Sequence, residues 1–165
     1  MALQEDFNQI IDYAHFWNWA PDWGEVQRIY EKFPDSFSVL TPFAYSYLEE
    51  LIRTTTSDYG LPLFDRNGQP VKVNVGMKLI SLAIAENQNN QEYVKVLEET
   101  KKYFKYVKVN NDENGRNRVM HGFVHPRFWS KENFEQLIHH IAVLSPYSKV
   151  LIYNFALKYV WNTRL

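Results

Sequence analysis

Apolar residues at positions 3, 7, 10, 11 and 14 fall on one helical stripe, and this spacing predicts a helix over Leu3 to Trp19 that Pro21 ends. Asp22 is placed to cap a second helix running to about Phe33, where Pro34 follows. Thr41-Pro42 reads as the next start signal, a capping hydroxyl and then a proline at the first helical position. The helix after it turns Phe43, Tyr47, Leu48, Leu51 and Ile52 inward and is expected to stop before Gly60.

The periodicity fails over residues 60–74. Leu61-Pro62-Leu63 and Asp65-Arg66-Asn67-Gly68 predict a loop with an Asn-Gly turn, or a short hairpin before Val71-Lys72-Val73. Two helices are expected next, over about 76–87 and 90–107. In the second, Val94, Leu97 and Phe104 face inward while Lys101, Lys105 and Lys108 share a basic stripe. Asn110 to Gly115 is a polar connection. Ser130 caps a helix whose Phe134, Leu137, Ile138 and Ile141 keep helical spacing; Pro146 interrupts it, and Lys149 to Trp161 forms the last helix. No stretch between these elements reads as an interdomain linker. The expected fold class is all-α, one bundle over residues 1–165 with a short irregular or hairpin insertion around 60–74.

Composition narrows the chemistry. With 45% hydrophobic and 16% aromatic residues the chain has the material for a core and is not a disordered polymer. The absence of cysteine excludes disulfides, thiolate zinc sites and a cysteine nucleophile. The acidic start Met1-Ala2-Leu3-Gln4-Glu5-Asp6 is unlike a secretory signal, and apolar runs such as Leu79–Ala85 are too short to cross a bilayer, so the cytoplasm is the expected location. Net charge is −1 but unevenly spread: residues 1–60 hold ten acids and three bases, residues 93–131 nine bases and four acids. A basic segment in an otherwise acidic chain points to a polyanion, unless it is simply a solvated helix face.

Within that basic segment lies Arg116-Asn117-Arg118-Val119-Met120-His121-Gly122. On a helix, Asn117 and His121 stand at i and i+4, so the amide can hold the imidazole in one tautomer, as a catalytic histidine requires. Arg116 offers a permanent cation whose planar fork matches phosphate oxygens. Arg118, three residues before His121, aligns better with it on an ideal helix and is able to share that work. Arginine and histidine at this spacing are common; adding the asparagine and the glycine makes a chance match rarer than about one chain in a thousand.

The pattern resembles the HEPN family, small α-helical bundles marked by Arg, four to six residues, then His, often written Arg-Asn-x-x-x-His. Arg116, Asn117, His121 and Gly122 match that form, and the helical pattern and the motif's place before the 130–145 helix agree with it; residues 1–90 show no detailed similarity. The resemblance implies a metal-independent endoribonuclease. In that chemistry a ribose 2′-hydroxyl attacks the adjacent phosphate and leaves cyclic phosphate ends, with His121 moving protons and Arg116 stabilising charge on the phosphorane. It also implies a homodimer with a composite site, since one histidine cannot easily serve as both base and acid. RNA is then the partner, with Arg118, Lys101, Lys105, Lys108 and Arg127 as substrate-binding residues and a role in defence, stress response or a toxin system. In toxins of this family that a nucleotidyltransferase antitoxin controls, a tyrosine two residues after the histidine is modified. Phe123 stands there, which puts that route in doubt and leaves any antitoxin unidentified.

Other candidates read more blandly. His121 with His125, and His139 with His140, lack the converging acid that would complete a familiar metal spacing, so neither metal nor cofactor is expected. Arg118 and His125 satisfy only the loose form of the motif. His15, Phe16, Trp17, Trp19 and Trp23 are able to stack on bases but read as core or interface aromatics. Glu49 and Glu50 read as solvated carboxylates. The readings that compete with the enzyme are a non-catalytic RNA-binding or protein-interaction module on the same fold, and an unrelated helical domain with a structural Arg116–Glu113 pair.

Overall fold

The computed structural model describes residues 2–14, 19–62, 64–104 and 130–162, and beyond Ser148 only the helical backbone. The fold is all-α. Six α-helices are described: α1 (Ala2–Ala14), α2 (Ala20–Lys32), α3 (Phe37–Arg53), α4 (Met77–Glu86), α5 (Gln91–Thr100) and α6 (Lys131–Asn162). The described residues contain no strand, and no helix among them is long and apolar enough to cross a membrane.

α6 lies against α1, α3 and α5, while α2 packs on α1 and reaches α3 through Trp23 and α6 through Tyr30. The inward stripes follow the periodicity closely. Phe7, Ile10 and Ala14 of α1, Tyr47, Leu48, Leu51 and Ile52 of α3, Leu97 of α5, and Phe134, Leu137, Ile138 and Ile141 of α6 are all buried. Phe43 is partly buried against that core. In α5 it is Tyr93 rather than the expected Val94 that is buried, and its hydroxyl meets the Thr55 hydroxyl at 2.7 Å.

Prolines mark the departures from expectation. Pro21 opens α2 instead of ending α1: it occupies the first turn, where its missing N–H would have had no intrahelical partner. Asp22 therefore sits inside that turn, where a carboxylate complements the helix dipole, rather than at the cap. α3 does not start at Thr41-Pro42. Pro34 opens a short 3₁₀ turn, Pro34–Ser36, that feeds directly into Phe37, so Pro42 lies inside the helix. The Thr41 hydroxyl donates to the Phe37 carbonyl at 2.7 Å, which adds a local bond close to the one Pro42 removes. Nor does Pro146 divide the last helix. The backbone stays helical through it, and the Ala142 carbonyl, which the missing Pro146 N–H leaves free, accepts from the Gln9 side-chain amide at 2.9 Å.

The end of α3 is closed by three hydroxyls, Thr54, Thr55 and Thr56, which donate to the carbonyls of Leu51, Ile52 and Arg53. The insertion that follows is a hairpin of minimal size. A single antiparallel bridge joins Phe64 and Pro70 around Asp65, whose carboxylate accepts from the N–H groups of Asn67 and Gln69, and Gly68 takes the left-handed conformation the turn demands (φ 73°). Polar contacts hold its base: Asp58 accepts from the Asn74 N–H, Arg53 donates to the Asn74 carbonyl, and Glu86 accepts from the N–H and hydroxyl of Ser57.

One corner of the core is aromatic. Trp19, Trp23, Phe43 and Tyr47 meet ring to ring, with centroids 5.0 to 5.6 Å apart. Trp23 Nε1 and the Tyr47 hydroxyl are buried there without a hydrogen-bond partner among the described residues. Ser145 neighbours the Tyr47 hydroxyl, but its own hydroxyl donates to the Ile141 carbonyl at 2.8 Å. Tyr47→Phe removes a donor that gains nothing from burial, so urea unfolding is expected to show unchanged stability or a gain of up to about 1 kcal/mol. A loss of more than about 1 kcal/mol would reveal a partner for the hydroxyl.

Candidate functional site

The residues singled out by the motif, Arg116, Asn117, Arg118, His121 and Gly122, lie outside the described residues, as do Phe123, His125, Lys105, Lys108 and Arg127. His15, Phe16 and Trp17 lie outside them too. What the structure does describe is the ground on either side of residues 105–129.

On the upstream side, the α-helix expected to reach residue 107 ends at Thr100. The Thr100 hydroxyl donates to the Leu97 carbonyl at 2.8 Å, and a 3₁₀ turn, Lys101–Tyr103, follows, with the Phe104 N–H donating to the Lys101 carbonyl. Lys101 therefore does not begin an α-helical stripe. Its ammonium is 2.6 Å from the Glu98 carboxylate, a half-exposed pair one turn back. Lys102 is exposed, with its ammonium over the Tyr103 ring. Of the basic residues assigned to substrate, Lys101 alone is described, and it already has an acidic neighbour.

Tyr103 and Phe104 are buried, because the tightened turn aims Tyr103 at α6. There its hydroxyl lies 2.7 Å from Nδ1 of His140, which is only 8% exposed. The Gln136 carbonyl is 2.8 Å from the same nitrogen, and Glu99 of α5 stands 4.0 Å from Nε2. Tyr45 of α3 meets the Tyr103 ring edge-on. Burial is the main reason His140 is held below the ordinary imidazole value; Lys102 and His139 push the same way, while the Gln136 carbonyl and Glu99 oppose them. Burial likewise pushes the Tyr103 phenol far up, so it stays a donor. The adjacent His139 faces outward and pairs with Asp6 of α1 at 3.2 Å.

On the downstream side, α6 begins as expected. The Asn133 N–H donates to Ser130 Oγ at 3.3 Å, and the Ser130 hydroxyl donates to Glu132, the chief reason that carboxyl is held below its usual range. The Tyr30 hydroxyl donates to Glu135 at 2.6 Å and its ring packs on buried Phe134, fixing this end to α2.

One expectation is corrected here, and one is met. Glu49 is not solvated: it is 7% exposed, accepts from the Gly76 N–H at 3.0 Å, and lies 3.7 Å from Arg53. It ties α3 to the start of α4, where Gly76 takes a positive φ of 56°. Trp23 is wholly buried, so it is core rather than a stacking platform for bases. The His140–Tyr103–Glu99 cluster was readable in part: His140 falls on the inward stripe with Leu137, Ile141 and Leu144, a signal that it is buried and partnered. Among the described residues, no group of three or more His, Asp or Glu side chains is arranged to hold a metal ion. No protein-family model matches the chain, and no curated protein and no solved structure matches it either.

Proposed function

We propose that this protein is a metal-independent endoribonuclease of the HEPN type, acting as a homodimer. The observation that carries the reading is the sequence Arg116-Asn117-x-x-x-His121-Gly122 within a basic segment of an all-α chain. The residue types suit the reaction. His121 takes the proton of a ribose 2′-hydroxyl, the 2′-oxygen bonds to the adjacent phosphorus, and the P–O5′ bond breaks. The departing 5′-oxygen takes a proton from the His121 of the second copy, leaving a 2′,3′-cyclic phosphate and a 5′-hydroxyl. Arg116 holds the non-bridging oxygens as charge builds on them, and Asn117 fixes the imidazole. Arg118, Lys101, Lys105, Lys108 and Arg127 contact flanking phosphates.

Two features of the described residues support the reading. Both flanks of residues 105–129 are anchored to one bundle, through buried Tyr103 and Phe104 on one side and Ser130 to Phe134 on the other. The upstream flank also carries exposed Lys102 beside Lys101.

The experiment is incubation of purified protein with mixed RNA in excess EDTA. Cleavage is expected to persist and to yield cyclic phosphate and 5′-hydroxyl ends, because the base, the acid and the anion-binding group are all side chains. A strict need for a divalent ion, or 3′-hydroxyl products, contradicts the mechanism. RNA binding without cleavage would favour a non-catalytic module on the same fold.

A further inference from the structure

The tip of the hairpin needs glycine at position 68, and that need leaves the asparagine before it chemically labile. A Cβ at Gly68 would meet nothing within 4 Å, so the φ of 73°, not crowding, calls for glycine. Asn67 precedes it, and both residues are exposed to water. With no Cβ on residue 68, nothing shields the Asn67 side-chain carbonyl from the backbone nitrogen that follows. The turn opposes that approach. The Gly68 N–H donates to the Asp65 carbonyl at 3.0 Å, and the Asp65 carboxylate takes the N–H groups on either side, Asn67 at 2.8 Å and Gln69 at 2.9 Å. The Asp65 N–H donates in turn to the Gln69 carbonyl at 2.8 Å, so one aspartate fastens the whole tip.

We propose that Asn67 is a site of spontaneous deamidation and that the turn built on Asp65 holds the reaction back, so that Asn67 converts when the hairpin tip opens. In the step, the Gly68 nitrogen gives its proton to solvent base and bonds to Cγ of Asn67. The Cγ–Nδ2 bond then breaks and ammonia leaves. The resulting five-membered succinimide takes up water at either of its carbonyls and opens to aspartate or isoaspartate. Water is the one co-reactant, and nothing is oxidised or reduced.

The attack needs a nitrogen free to shed its proton and to turn toward the side chain. In the closed turn that proton is engaged by the Asp65 carbonyl, and the bonds on both sides fix the backbone around it. The rate therefore follows the fraction of time the tip is open. The product does not return to the same turn. Either acid adds a carboxylate two residues from that of Asp65, and the two repel. Isoaspartate also adds a backbone carbon between residues 67 and 68, which displaces the Gly68 N–H from the Asp65 carbonyl. Conversion is thus a one-way record of opening at the hairpin tip.

The test ages the full chain in mildly alkaline buffer, folded and in guanidinium chloride, and follows the peptide carrying residues 65–69 by chromatography and mass spectrometry. Asn114-Gly115, the other Asn-Gly of the sequence and outside the described residues, supplies the rate of the unfolded dipeptide in the denatured sample. In denaturant Asn67 is expected to convert at a rate similar to Asn114, giving both aspartate and isoaspartate. In the folded protein it should convert about tenfold more slowly. Asp65→Ala removes the carboxylate that holds two N–H groups and should bring the folded rate close to the denatured one. Asp65→Asn keeps a side-chain acceptor there and should stay slow. An Asn67 that remains intact in denaturant, converts equally fast folded and denatured, or is no faster in Asp65→Ala overturns the proposal. If circular dichroism shows that Asp65→Ala does not fold, the wild-type comparison of folded and denatured rates decides alone.

Discussion

His121→Ala is expected to lower RNA cleavage by about 10²–10⁴-fold, and by more if the same histidine serves as base in one copy and acid in the other. The proposed reaction gives the imidazole two proton transfers and leaves no other group of suitable proton affinity in the motif, since Arg116 and Arg118 stay charged and Asn117 does not titrate. Arg116→Lys is expected to lose most activity as well. An ammonium keeps the charge but not the planar fork that spans two phosphate oxygens. His125→Ala, which breaks only the loose match with Arg118, is expected to be close to neutral. The control is thermal unfolding, on which all three variants should resemble the parent. If His121→Ala unfolds the protein and His125→Ala does not, His121 is a structural residue, and the non-catalytic module becomes the better reading.

The helical stripes were legible because each is a local pattern, and local periodicity is what the sequence displays most directly. Phe134, Leu137, Ile138 and Ile141 could be assigned to a core face from their spacing, and the core accepts them all. Glu49 could not. The pair Glu49-Glu50 reads as solvated until Gly76, far along the chain, brings an N–H that needs an acceptor. Pro42 misled because it stands one turn inside a helix that already began at Phe37, and Pro146 misled for the same reason as Glu49. Pro146 removes a helical bond that can be seen from the sequence, whereas the group that compensates the lost bond belongs to another part of the fold. His140 sits between these cases: its stripe position was visible, but its partner Tyr103 depended on α5 tightening into a 3₁₀ turn at Lys101. The Arg116–Gly122 motif lies outside the described residues; it states which groups are present and not how they converge.

Gln9→Met is expected to destabilise the protein by about 1–2 kcal/mol, and nearly all of that loss should vanish in a Pro146→Ala background. Residue 146 would ordinarily donate its N–H to the carbonyl of Ala142, and proline has none to give. An interior helical proline costs about 3 kcal/mol, part of it from the clash of its ring with that carbonyl and part from the orphaned acceptor. Ala142 is fully buried on the face that meets α1, so water does not readily compensate it. The Gln9 amide reaches across from α1 and donates at 2.9 Å, which makes the proline tolerable within one continuous helix. Methionine keeps the length and flexibility of the side chain but not its donor, so packing changes little and the unpaired carbonyl dominates the cost. In Pro146→Ala the backbone N–H returns to Ala142, the acceptor is satisfied from within α6, and the Gln9 bond becomes redundant. Urea unfolding of the four proteins in this cycle measures the coupling, expected at about 1 kcal/mol or more. An equal cost for Gln9→Met in both backgrounds would show that Gln9 acts through surface packing, and that α6 passes Pro146 without help from α1.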